Sequence, residues 1–206
     1  MTDGSPPTEH PRAVGDDLAG SMAGIRAKLL ARYDADQNAR HAHTAADERG
    51  EADWSTIAEV DNANLAFLEP LIEAHGWLGS DLVGEDGAHA GWLLVQQAPD
   101  DHQQRWLPLL RAAVQAGTAT ERELAYLQDR VDTHRGHRQR WGTQSLGFGR
   151  GVVRLWPVAD PAGLNARRVR LDLAPITPEQ LANAWTVEQL AQHGITVLDD
   201  PDHAEF

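Results

Sequence analysis

The sequence predicts a mainly α-helical protein, a single-domain bundle of about five to seven helices with a small β-hairpin near residues 143–156. Apolar residues recur at spacings of three and four along most of the chain, which is the period of a helix face. Ser, Thr or Asp start signals precede several of these stretches, and Gly follows them. At 206 residues the chain is long enough for one sizeable core.

The domain organisation follows from where this periodicity begins and ends. Residues 1–15 are rich in Pro and small polar side chains, so we expect a disordered tail. Residues 16–198 form the single helical domain, and residues 199–206 form an acidic tail. The N-terminal sequence lacks a secretory signal pattern, and no apolar run approaches the roughly eighteen residues of a membrane span. We therefore expect a soluble, cytoplasmic protein.

Composition narrows the classes of function. A net charge of −13 and a pI near 5.1 argue against a general nucleic-acid or anionic-membrane binder, because phosphate binding requires a basic surface. The chain has no cysteine, which excludes disulfides, thiolate nucleophiles and cysteine-ligated zinc. Seven tryptophans against three phenylalanines favour a partly solvated cleft lined by indole rings. We expect a small-molecule ligand or substrate as partner, and leave the oligomeric state open.

The first predicted helix carries an ionic extension of its apolar face. From Asp16 onward its apolar stripe comprises Leu18, Met22, Ile25, Leu29 and Tyr33. The same stripe continues into Asp36 and Arg40. Either this end of the helix is solvated, or Asp36 and Arg40 form an ordinary pair one turn apart, or both belong to a functional site.

A second predicted helix places a carboxylate and an amide toward the core. A capping box that begins at Thr56 opens this helix. Asp61 and Asn64 fall on its apolar side, where an unpaired buried polar group costs on the order of 1 to 3 kcal/mol. We therefore expect partners for both side chains, with Arg40 or Arg130 as the candidates. The alternative is a satisfied structural network without chemistry.

Two further helices are predicted in the middle of the chain. Residues 87–98 form a short apolar helix that ends near Gln96. Its centre, residues 92–95, fits a buried strand equally well, but the neighbouring alanines favour a helix. Asp100 or Asp101 caps the helix that follows.

The segment from Glu123 to Gln144 contains many side chains that can bind a ligand or take part in catalysis. Thr120 and Glu123 open its helix with a capping box. Beside the apolar stripe, this helix and the loop that follows it carry Tyr126, Asp129, Arg130, Gln139, Trp141, Thr143 and Gln144. An acid, a guanidinium and several amides close in sequence are typical of a binding or catalytic site.

The C-terminal part of the domain contains the hairpin and short helices. Residues 143–146 and 152–156 form the two strands, joined by a glycine-rich turn. Asp160 before Pro161 and Thr177 before Pro178 are start signals for short helices.

With these residues in view, the chain resembles a bacterial helical domain family of unknown function, over about residues 20–190. The matching motifs are D-x-x-x-R at Asp36 and Arg40, D-x-x-N at Asp61 and Asn64, H-G-W at His75–Trp77, V-G at Val83, Q-x-A at Gln96, Y-L-x-D-R-V at Tyr126–Val131, Q-x-W-G-T-Q at Gln139–Gln144 and L-N-A-R-R at Leu164–Arg168. The resemblance supports the candidate residues and implies no particular reaction. The family pattern places a histidine after the glutamine of Q-x-A, where this chain has Gln97.

One interpretation of these residues is a cofactor-independent acid/base enzyme that performs hydrolysis, cyclisation or elimination on a small polar or carboxylate-bearing molecule. Asp61 or Asp129 serves as the general acid or base, and Arg130 stabilises a developing oxyanion or binds a carboxylate. The candidate substrate-binding residues are Asp36, Arg40, Asn64, Trp77, Gln96, Tyr126, Gln139, Trp141 and Gln144.

Other classes of site fit the sequence less well. His41 and His43 are two residues apart and point to opposite sides of a helix, and no H-E-x-x-H motif exists, so we expect no metal. The turn at residues 147–151 lacks the lysine of a phosphate-binding loop, and we expect no cofactor. The remaining alternative is a non-catalytic binding or protein-interaction module, in which the motif residues form a structural polar network. Basic residues at 135–140 then offer a surface for an acidic partner.

Overall fold

The computed structural model describes residues 14–148 and 152–198, with side chains from residue 21 onward. Its helices are α1 (Val14–Glu48), α2 (Ser55–His75), α3 (Ser80–Val95), α4 (Asp100–Gln115), α5 (Glu121–His134), α6 (Leu164–Arg170), α7 (Pro178–Ala182) and α8 (Val187–Gln192). Strands β1 (Ser145–Leu146) and β2 (Arg154–Leu155) pair antiparallel. The prediction of a mainly helical protein with a small hairpin is confirmed. The expected tails, up to residue 13 and from residue 199, lie outside the described residues.

Helix α1 is the longest element of the bundle and contacts both α2 and α3. It runs antiparallel to α2, because Arg32 reaches Asn64 while Arg40, two turns later, reaches Asp61. The apolar stripe predicted on α1 continues inward as far as Asp36, which is only 1% exposed. The polar end of this helix face is therefore buried against α2.

Helix α3 runs parallel to α1, and glycines bring the two backbones close together. Arg26 forms an ion pair with Asp86, and Leu29 lies against Gly91, where a Cβ atom would approach its methyl groups to 3.5 Å. Five residues beyond the contact between Leu29 and Gly91 lie residue 34 on α1 and Gln96 at the end of α3. Gln96 is therefore level with the turn of α1 that precedes Asp36. The C-terminal end of α3 therefore lies beside the ionic end of α1.

Helices α4 and α5 form an antiparallel pair. Asp100 at the start of α4 contacts His134 at the end of α5, with 2.7 Å between Oδ1 and Nδ1. Further along, Arg111 donates to the Gln128 amide oxygen at 2.9 Å. Because only three residues lie between Gln96 and Asp100, the end of α3, the start of α4 and the end of α5 meet at the same end of the bundle.

Helices α1 to α5 together form the main core. Its largest fully buried side chains are Trp106, Leu29, Leu68, Leu94, Leu110 and Leu127. The helical alternative for residues 92–95 is correct, and the Trp92 indole donates to the Glu123 carbonyl at 3.1 Å. A smaller second core of Val158, Leu164 and Ile176 supports the C-terminal elements.

The helix start signals were predicted with mixed success. The capping boxes that begin at Thr120 and Thr177 are both present. The capping box predicted at Thr56 is wrong, because α2 already begins at Ser55. There the Asp53 carboxylate accepts from the Ser55 N–H at 3.0 Å and from its hydroxyl at 2.6 Å. A carboxylate is a strong hydrogen-bond acceptor and takes the role expected of the threonine.

Two further start signals act differently from the prediction. Asp100 and Asp101 lie inside the first turn of α4, after an N-cap at Pro99, where their charges favour the helix dipole instead of capping it. Asp160 accepts from the Gly163 N–H at 3.2 Å, which closes a turn, and α6 begins only after that glycine.

Among residues 14–148 and 152–198, no helix combines the length and the apolar character that a membrane span requires.

Candidate functional site

The structure separates the candidate residues into two neighbouring groups and one outlier. The first group, which we call the bundle-end cluster, comprises Asp36, Arg40, Asp61, Asn64, Gln96 and Arg130. The second, the loop-anchor cluster, comprises Tyr126, Asp129, Gln139, Trp141 and Gln144. The outlier is Trp77. Consecutive residues on a helix point about 100° apart, which is why Asp129 and Arg130 on α5 belong to different groups.

Arg40 is the centre of the bundle-end cluster. Its Nε atom donates to both oxygens of Asp36 at 3.0 and 3.1 Å, and Gln37 adds a third donor to that carboxylate. Its Nη2 atom lies 2.5 Å from Oδ1 of Asp61 on α2. The expectation that Asp61 finds a partner, with Arg40 as one candidate, is confirmed. One guanidinium thus holds two carboxylates from two helices.

Asp61 differs from Asp36 in its access to solvent. The side chain of Asp36 is 2% exposed, whereas that of Asp61 is 28% exposed. Burial raises the pKa of the Asp61 carboxyl and the Asp36 carboxylate raises it further, while Arg40 opposes both effects. Asp61 is therefore the accessible carboxyl of the pair, and its proton is held more tightly than that of a free aspartate.

Three amide atoms near this ionic group have no hydrogen-bond partner within the described part of the chain. Both polar atoms of the Gln96 side chain are buried and unpaired. The Asn64 oxygen accepts from Arg32 at 3.3 Å, but its Nδ2 atom is buried without an acceptor. Such atoms are uncommon in native proteins, because each one costs a lost hydrogen bond to water.

Arg130 brings a second guanidinium to the same region. Burial lowers its pKa, and the positive charge of Arg40 lowers it further. Its Nε atom is buried without a hydrogen-bond partner, and no ion pair to it occurs in the described ranges. Asp100 acts on Arg130 electrostatically, but that carboxylate is already bound to His134. The cluster therefore has donor capacity that the described protein groups do not use.

Asp129 is an anchor for the loop that follows α5. It is 0% exposed and accepts from the backbone N–H groups of Arg140, Trp141 and Thr143 and from the Thr143 hydroxyl, at 2.7 to 3.1 Å. Burial raises its pKa to about 6, and these donors oppose the rise. Four donors are thus committed to this carboxylate. Its candidacy as a catalytic acid stays a prediction, and its geometry is that of a structural group.

Gln139 and Gln144 complete the loop-anchor cluster. The Gln139 amide donates to the carbonyls of Gln144 at 2.9 Å and Trp156 at 2.7 Å, and accepts from the Gln144 N–H at 2.8 Å. The Gln144 amide donates to the Thr143 hydroxyl at 3.0 Å. These bonds tie the loop to the hairpin strand. They use both N–H groups of the Gln139 amide, and the side chain is fully buried.

The aromatic candidates have structural surroundings. Tyr126 packs edge-on against Trp92, with ring centroids 5.8 Å apart. Trp141 lies in the anchored loop, where Arg140 stacks on its ring. Trp77 follows the C-terminal end of α2 and belongs to the main core, roughly 20 Å along the helix axis from Asp61. Because most of the length of α2 lies between Asp61 and Trp77, the Trp77 ring does not line the bundle-end cluster.

Two buried ionisable residues were missed as candidates. Arg168 on α6 donates to the carbonyls of Trp141 at 2.6 Å, Gly142 at 3.0 Å and Ala174 at 2.7 Å. Its place in the L-N-A-R-R motif was the available signal. Asp132 is 3% exposed and accepts from Gln128, and burial raises its pKa to about 7. Nothing in its local sequence distinguishes it from a solvated helix carboxylate.

The part of the chain that the structure describes contains no group of three or more His, Asp or Glu side chains arranged to hold a metal ion. The polar chemistry of the bundle-end cluster therefore consists of carboxylates, guanidinium groups and amides. In proteins generally, guanidinium groups bind organic anions and carboxyl groups transfer protons.

Comparison with known proteins gives one match. The model of a family described as "Family of unknown function (DUF6624)" matches residues 23–184. That range contains both clusters and Trp77. No curated protein and no solved structure matches the chain significantly.

Proposed function

The chain belongs to this family of unknown function, and we propose that it is a cofactor-independent acid/base enzyme for a small carboxylate-bearing molecule, with its site at the bundle-end cluster. Among the described residues, those of this cluster combine unused donors with an accessible titrating carboxyl. The loop-anchor cluster is the scaffold that holds α5, and hence Arg130, in place. Substrate and reaction type are assigned here only by class.

Arg130 is the proposed binding group for the substrate carboxylate. A guanidinium offers two parallel donors to a carboxylate, and such pairs are stronger in a partly buried site than in water. Arg40 is already shared by Asp36 and Asp61, whereas Arg130 has no ion pair among the described residues. An incoming anion also reduces the repulsion between the two cations. The charge balance of the cluster therefore favours an anionic ligand.

Asp61 is the proposed general acid or base. It is the more exposed of the two carboxyls on Arg40, and its raised pKa brings proton transfer closer to neutral pH. The Nδ2 atom of Asn64, one turn along the same face of α2, and both amide atoms of Gln96 have no other partner among the described residues, and these atoms orient the substrate. The observation that carries the proposal is this convergence of unpaired polar atoms around an ion pair. A purely structural network leaves few such atoms.

Carboxylate binding is tested first, with succinate as the probe. In the ¹⁵N-labelled full chain, the Arg130 Nε–H signal is followed while succinate is added. We expect a saturable shift of this signal in the native protein. In Arg130→Lys, which has neither this signal nor a guanidinium fork, we expect succinate to shift the neighbouring backbone amide signals more weakly than in the native protein. Absence of any shift at Arg130 with succinate in the tens of millimolar contradicts the binding role.

Catalysis is tested with Asp61→Asn and a matched exposed control, Asp34→Asn, on the neighbouring helix. Both variants and the native chain are incubated with a panel of carboxylate-bearing esters, amides and hydroxy acids, and products are followed by proton NMR. We expect turnover of a panel member by the native chain and by Asp34→Asn, and a loss of at least about 100-fold in Asp61→Asn. Equal rates in the two variants remove Asp61 from the mechanism.

The second candidate function is a binding module whose polar residues are structural. Its support is Asp36, which is buried and fully paired by Arg40 and Gln37. A runner-up within the enzyme class is an enzyme that has lost catalysis and still binds its former substrate, and the Gln97 position is consistent with it. Succinate binding without turnover by the native chain on any panel member favours this candidate.

A further inference from the structure

A second candidate site lies between α4, α5 and α6, and shares no residue with the bundle-end cluster. It is an open cleft of about 490 Å³. Its charged lining residues are Arg111, Arg140, Arg167, Arg170 and Glu121. Pockets of roughly 300 to 1,000 Å³ are the usual size for small organic ligands. The cleft is thus large enough for a metabolite, and we call it the arginine cleft.

The charge of the arginine cleft is opposite to that of the protein. The whole chain carries a formal charge of −13, yet four arginines and one glutamate line this cavity. Concentrating like charges raises the electrostatic energy of the empty cleft, and an anion lowers it. A dianionic group offsets more of this repulsion than a single carboxylate does. The lining therefore favours a phosphate.

Two of the guanidinium groups are held in place by neighbouring residues. Arg111 donates to the Gln128 amide, whose nitrogen in turn donates to Asp132 at 2.9 Å. Arg167 donates to the Asp160 carboxylate at 2.6 Å and to the Arg140 carbonyl at 3.1 Å. Fixed side chains lose less conformational entropy when a ligand binds.

Arg140 and Arg170 supply the accessible charge. Arg140 stacks on the Trp141 ring, with 5.3 Å between the guanidinium carbon and the ring centroid. Arg170 is an exposed side chain in the last turn of α6, with no hydrogen bond or ion pair to the described residues. Both therefore have donors that face the cavity or solvent.

The cleft also has an apolar wall. Its members are Val114, Leu124, Ala125, Trp141 and Leu171. An apolar wall beside a cationic rim suits a ligand that has a flat organic ring as well as an anionic group, and inorganic phosphate alone would leave this wall uncovered.

We propose that the arginine cleft binds a small phosphorylated organic molecule of about mononucleotide size, with its phosphate on Arg140 and Arg170 and its ring against the apolar wall. Arg111 and Arg167 line the cavity from fixed positions, and Asp160 offsets the charge of Arg167. The site is separate from the proposed acid/base site, and either can be present without the other.

The test uses AMP as the probe, with adenosine and inorganic phosphate as the two partial ligands. Binding to the full chain is measured by calorimetry, and the site is located by ¹⁵N chemical-shift changes. We expect AMP to shift the backbone signals of residues 111–115, 121–125 and 167–171. We expect adenosine and inorganic phosphate each to bind at least about tenfold more weakly than AMP, because each makes only part of the contacts.

Arg170→Glu is the diagnostic variant, because this exposed side chain has no structural partner in the described chain. Its matched control is Arg49→Glu, an exposed arginine after α1 with the same change in net charge. We expect Arg170→Glu to weaken AMP binding at least about tenfold and Arg49→Glu less than about twofold. Equal weakening by both variants indicates a general charge effect and overturns the proposal. Absence of AMP-dependent shifts in the cleft, or adenosine binding as tightly as AMP, also overturns it.

Discussion

The guanidinium of Arg40 lies 2.5 Å from the carboxylate of Asp61, across the interface between α1 and α2. The same guanidinium holds Asp36, which is buried one turn back on its own helix. This arrangement makes Arg40 a structural cation and leaves Arg130, close by on α5, as a cation with unused donors. Removing the charge of Arg40 should therefore lower the free energy of unfolding, whereas removing the charge of Arg130 should not.

Replacing each arginine by Met separates these roles. Arg40→Met leaves a buried carboxylate without its cation, and we expect the free energy of unfolding to fall by about 2 to 4 kcal/mol. Arg130→Met removes a buried charge that has no ion pair in the described residues, and we expect no loss or a gain of up to about 1 kcal/mol. Urea unfolding at pH 7 measures both. A loss in Arg130→Met as large as that in Arg40→Met would assign Arg130 a structural role.

The two buried glutamines offer a second matched pair. Gln139→Leu removes three hydrogen bonds between the loop and the hairpin, and we expect a cost of about 2 to 4 kcal/mol. Gln96→Leu replaces an amide that has no partner among the described residues, so we expect a change within about 1 kcal/mol of zero. Thermal and urea unfolding of both variants provide the comparison. Strong destabilisation by Gln96→Leu would show that its amide is bound within the native protein.

Asp129→Asn tests the anchor of the loop after α5. An amide has one acceptor oxygen where the carboxylate has two, so the backbone donors of residues 140–143 lose part of their acceptor. We expect the free energy of unfolding to fall by about 2 to 4 kcal/mol, with faster hydrogen exchange at Trp141 and Thr143. The exposed Asp34→Asn variant is the control. Unchanged stability and exchange would instead leave Asp129 open to a catalytic role.

Asp132 gives a prediction about pH. Burial raises its pKa to about 7 in the folded state, above the ordinary value of 3.8 in the unfolded chain. The folded protein therefore binds this proton more tightly, and the associated stability is present at low pH and lost as pH rises toward 7. Asn cannot ionise, so Asp132→Asn should gain about 2 to 4 kcal/mol relative to the native protein between about pH 4.5 and 8.

Urea unfolding of both proteins across this pH range measures the difference. Taking the difference removes the contributions of the other titrating groups, which the two proteins share. A stability difference that stays constant with pH would show that the Asp132 carboxyl titrates at its ordinary pKa in the fold.

Local sequence was sufficient to predict much of the fold and the burial of some of the polar side chains near the site. Helix periodicity predicted the bundle, and glycines with short apolar runs predicted the hairpin. The stripe on α1 predicted the inward position of Asp36, and the face of α2 predicted that Asp61 needs a partner. These inferences succeeded because side-chain direction within one helix depends only on position along it.

Proximity between elements was decided by the tertiary structure. The sequence places Asp129 beside Arg130, but the packing of α5 directs one to the following loop and the other toward Arg40. The sequence places Trp77 in the H-G-W motif, but α2 carries that indole to the end of the core that is distant from the bundle-end cluster. The arginine cleft joins side chains from α4, α5 and α6 that no local pattern relates. Sequence periodicity determined which face of each helix is buried, whereas long-range packing decided which polar groups meet there and which are left without a partner.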